Sequence, residues 1–243
     1  DNIVNAGGSA GELSDQGFAV VIDSTALGGV RAGQISIIAT EEGAGVKTDT
    51  ALISDLGSVD IGANGDIIIK KDITSQSEIT LAAAANINNS GNLTATTNLN
   101  LTSSANITNS GQITASNATL SAQNITNSNL ISAAILSLTA ANDITNNING
   151  TIRSTFGDLT LNATNGSINN LGSLTATANL YLTATSDINN SGTISGANLD
   201  LNSASINNLG SLTSTTNLYL TATSSITNSG QITASNATLS AQN

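Results

Sequence analysis

The sequence predicts an all-β parallel β-helix, a solenoid of three short strands per coil with about 19–20 residues in each coil. Three observations predict it. Residues 107–124 recur unchanged at 226–243, an offset of 119. Residues 169–185 recur at 207–223, an offset of 38, with Ser214 in place of Ala176 and Thr216 in place of Ala178. Self-similarity at a fixed period marks a solenoid. The second observation is a motif of half that length, I-[NT]-N-x-[GN], which begins at Ile87, Ile107, Ile125, Ile144, Ile168, Ile188, Ile206 and Ile226, with steps of 20, 18, 19, 24, 20, 18 and 20. The third is that no i, i+3, i+4, i+7 apolar stripe outlasts a turn, while Asn, Thr, Ser and Gly dominate; both facts disfavour helix.

Each coil carries three apolar stations. The Ile of the motif is the first. A second apolar residue follows six positions later at Leu93, Ile113, Ile131, Leu174, Ile194, Leu212 and Ile232. The third is an alternating pair: Leu99/Leu101, Leu136/Leu138, Leu159/Leu161, Leu180/Leu182, Leu199/Leu201 and Leu218/Leu220. Alternation places both leucines of a pair on one face and the residue between them on the other. A unit this short leaves no room for a crossover helix, so successive coils must stack directly, at roughly the 4.8 Å separation of paired strands.

The corner residues follow from this. Asn89, Asn109, Asn127, Asn146, Asn170, Asn190, Asn208 and Asn228 occupy one place in successive coils. An amide both donates and accepts, so stacked Asn side chains are expected to form a ladder. Gly91, Gly111, Gly172, Gly192, Gly210 and Gly230 come two residues later, where the corner is expected to need a positive φ. Asn129 takes that place in one coil, as a residue that tolerates the left-handed region.

Residues 1–86 are expected to be irregular coils of the same solenoid and residues 87–243 its regular repeats, the two continuous. Ile61, Ile67, Ile73 and Leu81 keep the 20-residue step to Leu81, Ile87, Leu93 and Leu101, while the 24 residues from Ile37 to Ile61 predict a longer loop on that coil. Twelve of the 16 acidic residues and four of the five basic ones precede residue 87.

Composition narrows function. The 243 residues contain no His, Cys, Met, Trp or Pro, two Tyr and two Phe. Without His and Cys there is no common zinc site, no His-dependent triad and no disulfide framework. A net charge of −11 lacks the basic patch that nucleic acid requires. No apolar run approaches the length of a membrane-spanning helix, and at 39% hydrophobic residues there is apolar material to bury. The chain starts at Asp1 with no basic-then-apolar leader and stops where another coil would begin, which predicts a piece of a longer array.

Within residues 17–46, the stretch Ile22-Asp23 … Leu27-Gly28-Gly29-Val30-Arg31-Ala32-Gly33-Gln34-Ile35, followed by Thr40-Glu41-x-Gly43-x-Gly45-Val46, resembles the haemagglutinin-repeat region of two-partner-secreted exoproteins. That family includes filamentous haemagglutinin and contact-dependent growth-inhibition effectors of Gram-negative bacteria. Val30-Arg31 departs from the Met-Tyr common at that place. The later I-x-N-x-G repeats are similar in style, so the resemblance covers nearly the whole chain. It implies a right-handed β-helical shaft exported through an outer-membrane β-barrel transporter and displayed at the cell surface.

Candidate chemistry is sparse. The outward column between the paired leucines reads Thr80, Asn100, Thr119, Ser137, Thr160, Tyr181, Asp200, Tyr219, Thr238. Tyr181, Asp200 and Tyr219 form an aromatic–carboxylate–aromatic stripe suited to a sugar ring or another cell-surface ligand, against the plainer reading of a tolerant outward position. Thr rows such as Thr94/Thr96 and Thr175/Thr177 read as β-propensity on a solvated face. Glu41, Glu42, Asp49, Asp55, Asp60, Asp66, Asp72 and Glu78 match no calcium-loop pattern, and Asp60 and Asp66 are the nearest to a carboxylate pair. The Asn-x-Thr triplets at Asn92, Asn117, Asn162 and Asn236 carry little weight in so Asn- and Thr-rich a chain. The sequence therefore predicts no catalytic residue, cofactor or metal site.

Overall fold

The computed structural model describes residues 2–5, 20–23 and 29–242. Residues 17–19 and 24–28 of the haemagglutinin-like signature lie outside the described residues. The chain divides into two compact units, Asp1–Ala122 and Gln123–Asn243. Each is a parallel β-helix, with the right-handed sense that connections between parallel strands take.

In the first unit, Ile35–Ala39, Val59–Ala63, Ile79–Ala83 and Asn98–Ser103 stack in parallel as the paired-apolar wall. Gly45–Thr48, Ile67–Ile69, Ile87–Asn89 and Asn106–Asn109 make the Ile–Asn wall. Val30–Ala32, Leu52–Ser54, Ile73–Ser75 and Asn92–Ala95 make the third, Thr-bearing wall. The predicted 20-residue step appears as register: Ile61 opposite Leu81, Ile67 opposite Ile87 and Ile73 opposite Leu93. It passes residue 86 without a break.

The second unit repeats the plan. Ile144–Asn146, Ile168–Asn170 and Asp187–Asn190 stack on the Ile–Asn wall, and Leu159–Ala163 and Asn179–Ala184 on the paired-Leu wall. Thr193–Asn208 and Ser211–Asn228 are long because each runs through two corners and serves all three walls. Their register shifts fall at the corners, between Gly196 and Asn198 and between Ser203 and Ser205.

Alternation decides what is inside. Leu99, Leu101, Leu180, Leu182, Leu199 and Leu201 are fully buried, while Asn100, Tyr181 and Asp200 between them point out. Fully burying one such leucine contributes about 1.5–3 kcal/mol. Backbone bonds close each coil onto the next, as in Ile67 N to Asn86 O (2.8 Å) and Ser90 N to Ile69 O (2.8 Å). This is why a chain without proline suits the wall.

The corner glycines do not have the positive φ that the sequence reading expected. Positive φ occurs, among the described residues, at Gly29 (98°) and Gly43 (73°) alone, and Asn129 is not left-handed. The constraint is space. A Cβ on Gly111 would run into Gly91 O, on Gly192 into Gly172 O, on Gly210 into Gly192 O and on Gly230 into Gly210 O. Those carbonyls accept from the coil above, for example from Thr193 N (2.9 Å to Gly172 O) and Ser211 N (2.9 Å to Gly192 O). Glycine is needed so that two backbones can approach at the corner.

The longer loop after Ile37 is present. Ala39 and Ala63 are partners, as are Val46 and Ile67, so three of the four additional residues lie in the turn at 40–45, and the fourth lies in the corner between Leu52 and Val59. Ala44 N donates to Glu41 O (2.9 Å), and Gly43 supplies the positive φ of that turn. In the second unit, the 24-residue step from Ile144 to Ile168 is spread over enlarged corners that carry the exposed Ile148 and Phe156.

Gly192→Ala is expected to lower stability by about 2 kcal/mol or more, since the colliding atoms are backbone, whereas Gly62→Ala, with nothing within 4 Å of its Cβ position, should be within about 0.5 kcal/mol of neutral. Urea denaturation midpoints of the two variants compare them directly.

Candidate functional site

The predicted Asn column is a ladder, and it runs inside the tube. Each of these Asn residues ends a strand whose alternation turns its side chain inward with the Ile two residues before it. In the first unit Asn89 Nδ2 donates to Asn109 Oδ1 (2.7 Å). In the second, Asn127 donates to Asn146 (2.9 Å), Asn146 to Asn170 (2.9 Å), Asn170 to Asn190 (2.8 Å), Asn190 to Asn208 (2.7 Å) and Asn208 to Asn228 (2.7 Å). All but Asn228 are buried. The same nitrogens also reach backbone carbonyls: Asn170 Nδ2 donates to Gly172 O (3.3 Å) and Thr193 O (3.1 Å), and Asn208 Nδ2 to Gly210 O (3.3 Å) and Gln231 O (3.2 Å). Ladder and glycine corner are therefore one device.

The ladder has a defined start. Asn89 Oδ1 is buried without a donor because the preceding coil has Ile69 in that place, and one coil earlier the buried Thr48 Oγ1 is also unpartnered.

Further amide rows, which the sequence reading missed, lie at the outer edges of the walls. Asn106 Nδ2 donates to Asn86 Oδ1 (3.0 Å), Asn198 to Asn179 (2.9 Å), Asn217 to Asn198 (2.9 Å) and Asn207 to Asn189 (2.9 Å). Here the later coil donates to the earlier one, opposite to the interior. In several coils the outer oxygen also accepts a backbone N–H from the coil that follows, as Asn86 Oδ1 does from Asn106 N (3.2 Å), and this fixes the orientation. The signal was present as Asn86, Asn106, Asn179, Asn198 and Asn217, one residue before each apolar station.

These rows explain several carboxylates. A carboxylate accepts but cannot donate. Asp66 heads one row, taking Asn86 N (2.8 Å) and Nδ2 (3.0 Å); Asp158 heads another, taking Asn179 N (3.2 Å) and Nδ2 (2.8 Å). Asp72 receives Asn92 in the same way, and Asp143 receives Ser167 N (2.8 Å). Arg31 holds Asp55 with two bonds (2.7 and 2.9 Å), which raises the guanidinium pKa further through hydrogen bonding and charge. Asp49 pairs with Lys47 and Lys70.

Among the described residues, Asp60 and Asp66 are not brought together as a carboxylate pair with each other. Asp66 is committed to Asn86, and Asp60 accepts from Ser58 Oγ (2.5 Å). Two shallow depressions lie on the paired-apolar wall of the first unit. One of about 480 Å³ is lined by Thr40, Gly62, Asn64, Ala82 and Thr102, and one of about 260 Å³ by Ser36, Ile38, Asp60, Gly62 and Thr80. Their side chains are small and mostly uncharged. Among the described residues no group of three or more Asp, Glu, His or Cys could hold a metal, and no helix is long and apolar enough to cross a membrane.

The stripe is aligned as read. Tyr181 pairs in register with Asp200, and Asp200 with Tyr219; Thr160 and Thr238 flank them. Tyr181 is 38% and Tyr219 45% exposed, and Asp200 is exposed between them. The Thr row is short, Thr74–Thr94–Thr114 in the first unit, and Arg153 and Ser195 interrupt its counterpart in the second.

Parallel coils with an aliphatic interior threaded by an amide ladder, and polar side chains spent largely on tying coil to coil, define a structural repeat solenoid. The chain belongs to the haemagglutinin-repeat family: the family model, "Haemagglutinin repeat", matches residues 2–147, 157–222 and 194–243. No curated protein and no solved structure matches it.

Asn208→Leu removes two rungs, the bonds from Asn190 and to Asn228, and leaves Asn190 Nδ2 with only its longer bond to Ser211 O (3.2 Å); it should cost about 3–5 kcal/mol in chemical denaturation. Ile69→Asn is expected to behave unlike other polar substitutions in the core. Its amide would donate to Asn89 Oδ1 and accept from Thr48 Oγ1, so the change should fall within about 1 kcal/mol of neutral, while Ile67→Asn should cost more than about 3 kcal/mol.

Proposed function

We propose that the chain is a shaft segment of a secreted, surface-exposed exoprotein of a Gram-negative bacterium, and that it holds a distal adhesive or growth-inhibiting module away from the cell. Membership of the haemagglutinin-repeat family across nearly the whole sequence carries this reading. Export through an outer-membrane β-barrel partner goes with it, and a chain without cysteine suits passage in an extended state. The dialects of residues 1–86 and 87–243 are read as one solenoid, and its role is mechanical rather than enzymatic. From Ile87 onward the coils repeat nearly the same inward set, so length can grow without redesign of the core. A second reading is favoured by one observation, the alignment of Tyr181, Asp200 and Tyr219 on an exposed wall: the shaft also binds a carbohydrate or cell-surface ligand.

The shaft reading is tested in the parent exoprotein by deleting residues 169–206, which joins Ile168 to Asn207 in register. Export should persist, and the projecting structure should shorten by two coils, roughly 10 Å. A lost distal activity with unchanged reach, measured by electron microscopy of labelled ends, would count against a spacer role.

A further inference from the structure

Resting on the second reading above, we infer that the paired-Leu wall of the second unit is a binding strip for a neutral, extended glycan lying parallel to the direction of coil stacking. The register places Tyr181 and Tyr219 two coils apart on one wall, roughly 10 Å, with Asp200 on the coil between them. Two ring faces at that separation match the advance of one disaccharide in an extended β-linked chain. The C–H faces of alternate sugars then stack on the electron-rich faces of the two tyrosines. The intervening sugar lies over Asp200, whose carboxylate accepts its hydroxyl hydrogens.

The polar groups of this strip are uncommitted. Asp200 has no hydrogen bond or ion pair among the described residues, unlike Asp143 and Asp158 in the same unit. Beside the stripe, two residues on in each strand, stand Thr183, Asn202 and Thr221, in register with one another, exposed and likewise without side-chain hydrogen bonds among the described residues. On its other side Asn179, Asn198 and Asn217 bond to each other and form a closed border. The strip is therefore a two-row grid of exposed aromatic, carboxylate, hydroxyl and amide groups on a regular sheet.

Charge selects the class of sugar. Residues 123–243 hold Asp143, Asp158, Asp187 and Asp200 against Arg153 alone. Sulfated or uronate-rich polymers would meet repulsion here with no cation to pair them.

The experiment uses the chain's own fluorescence. It has two tyrosines and no tryptophan, so its emission comes from the strip itself. Titration with cello-oligosaccharides of two, four and six residues should change that emission, with affinity rising about tenfold from the disaccharide to the tetrasaccharide as the second ring is engaged. Tyr181→Ser or Tyr219→Ser should reduce tetrasaccharide affinity to the disaccharide level. Their combination removes the fluorophore and is read by isothermal titration calorimetry, where it should abolish binding while circular dichroism stays unchanged. Tyr219→Thr combined with Thr238→Tyr moves the rings three coils apart and should lose the same tenfold. Glycan binding with no dependence on chain length or ring spacing, or with a preference for dextran sulfate, overturns the extended neutral strip while leaving a glycan surface. An unchanged emission with every sugar overturns both, and neither result touches the shaft reading, which is measured by length.

Discussion

Hydrogen bonding between coils fixes their separation at roughly the spacing of paired strands, and every other choice in the molecule answers to it. At that distance each side chain meets the occupant of its own position in the next coil. Ile and Leu satisfy the condition by packing, and Asn by an amide whose reach suits the repeat, as the 2.7–2.9 Å rungs from Asn127 to Asn228 record. Glycine satisfies it by having no side chain at the corner. Aspartate fits at the head of an outer row, where it has only to accept.

Much of this is legible in the sequence because a solenoid converts spacing into contact. The steps of 18–24 residues between successive Ile positions are the register of the Ile–Asn wall, and the Leu pairs are its neighbouring wall. The Asn column and the stripe of Tyr181, Asp200 and Tyr219 follow from the same arithmetic. What the repeat could not convey is how close two backbones come. Gly111 and Gly192 looked like residues that set a backbone angle, and they are residues that make room. Spacing likewise places Asn198 beside Asn179 without saying that their amides are joined, because an outer position looks solvated until its neighbours are known.

The acidic residues have partners that composition alone does not reveal. Eight carboxylates lie between residues 41 and 78. Asp55 and Asp49 are paired with Arg31 and lysines, and Asp66 and Asp72 accept from Asn86 and Asn92. These groups attach one coil to its neighbour. Asp200, in the sparsely charged part, is the carboxylate that stands on an open wall between two rings.

The opposed directions of the amide rows have an electrostatic consequence. Inside the tube each Asn points its nitrogen toward the following coil, and at the outer edges each points it toward the preceding one. Were all rows aligned, their dipoles would sum along the stack as peptide dipoles do in a helix, with opposite partial charges gathering at the two ends. Rows of contrary sense offset one another coil by coil. The partial charge exposed at the end of a stack is therefore smaller than aligned rows would leave there.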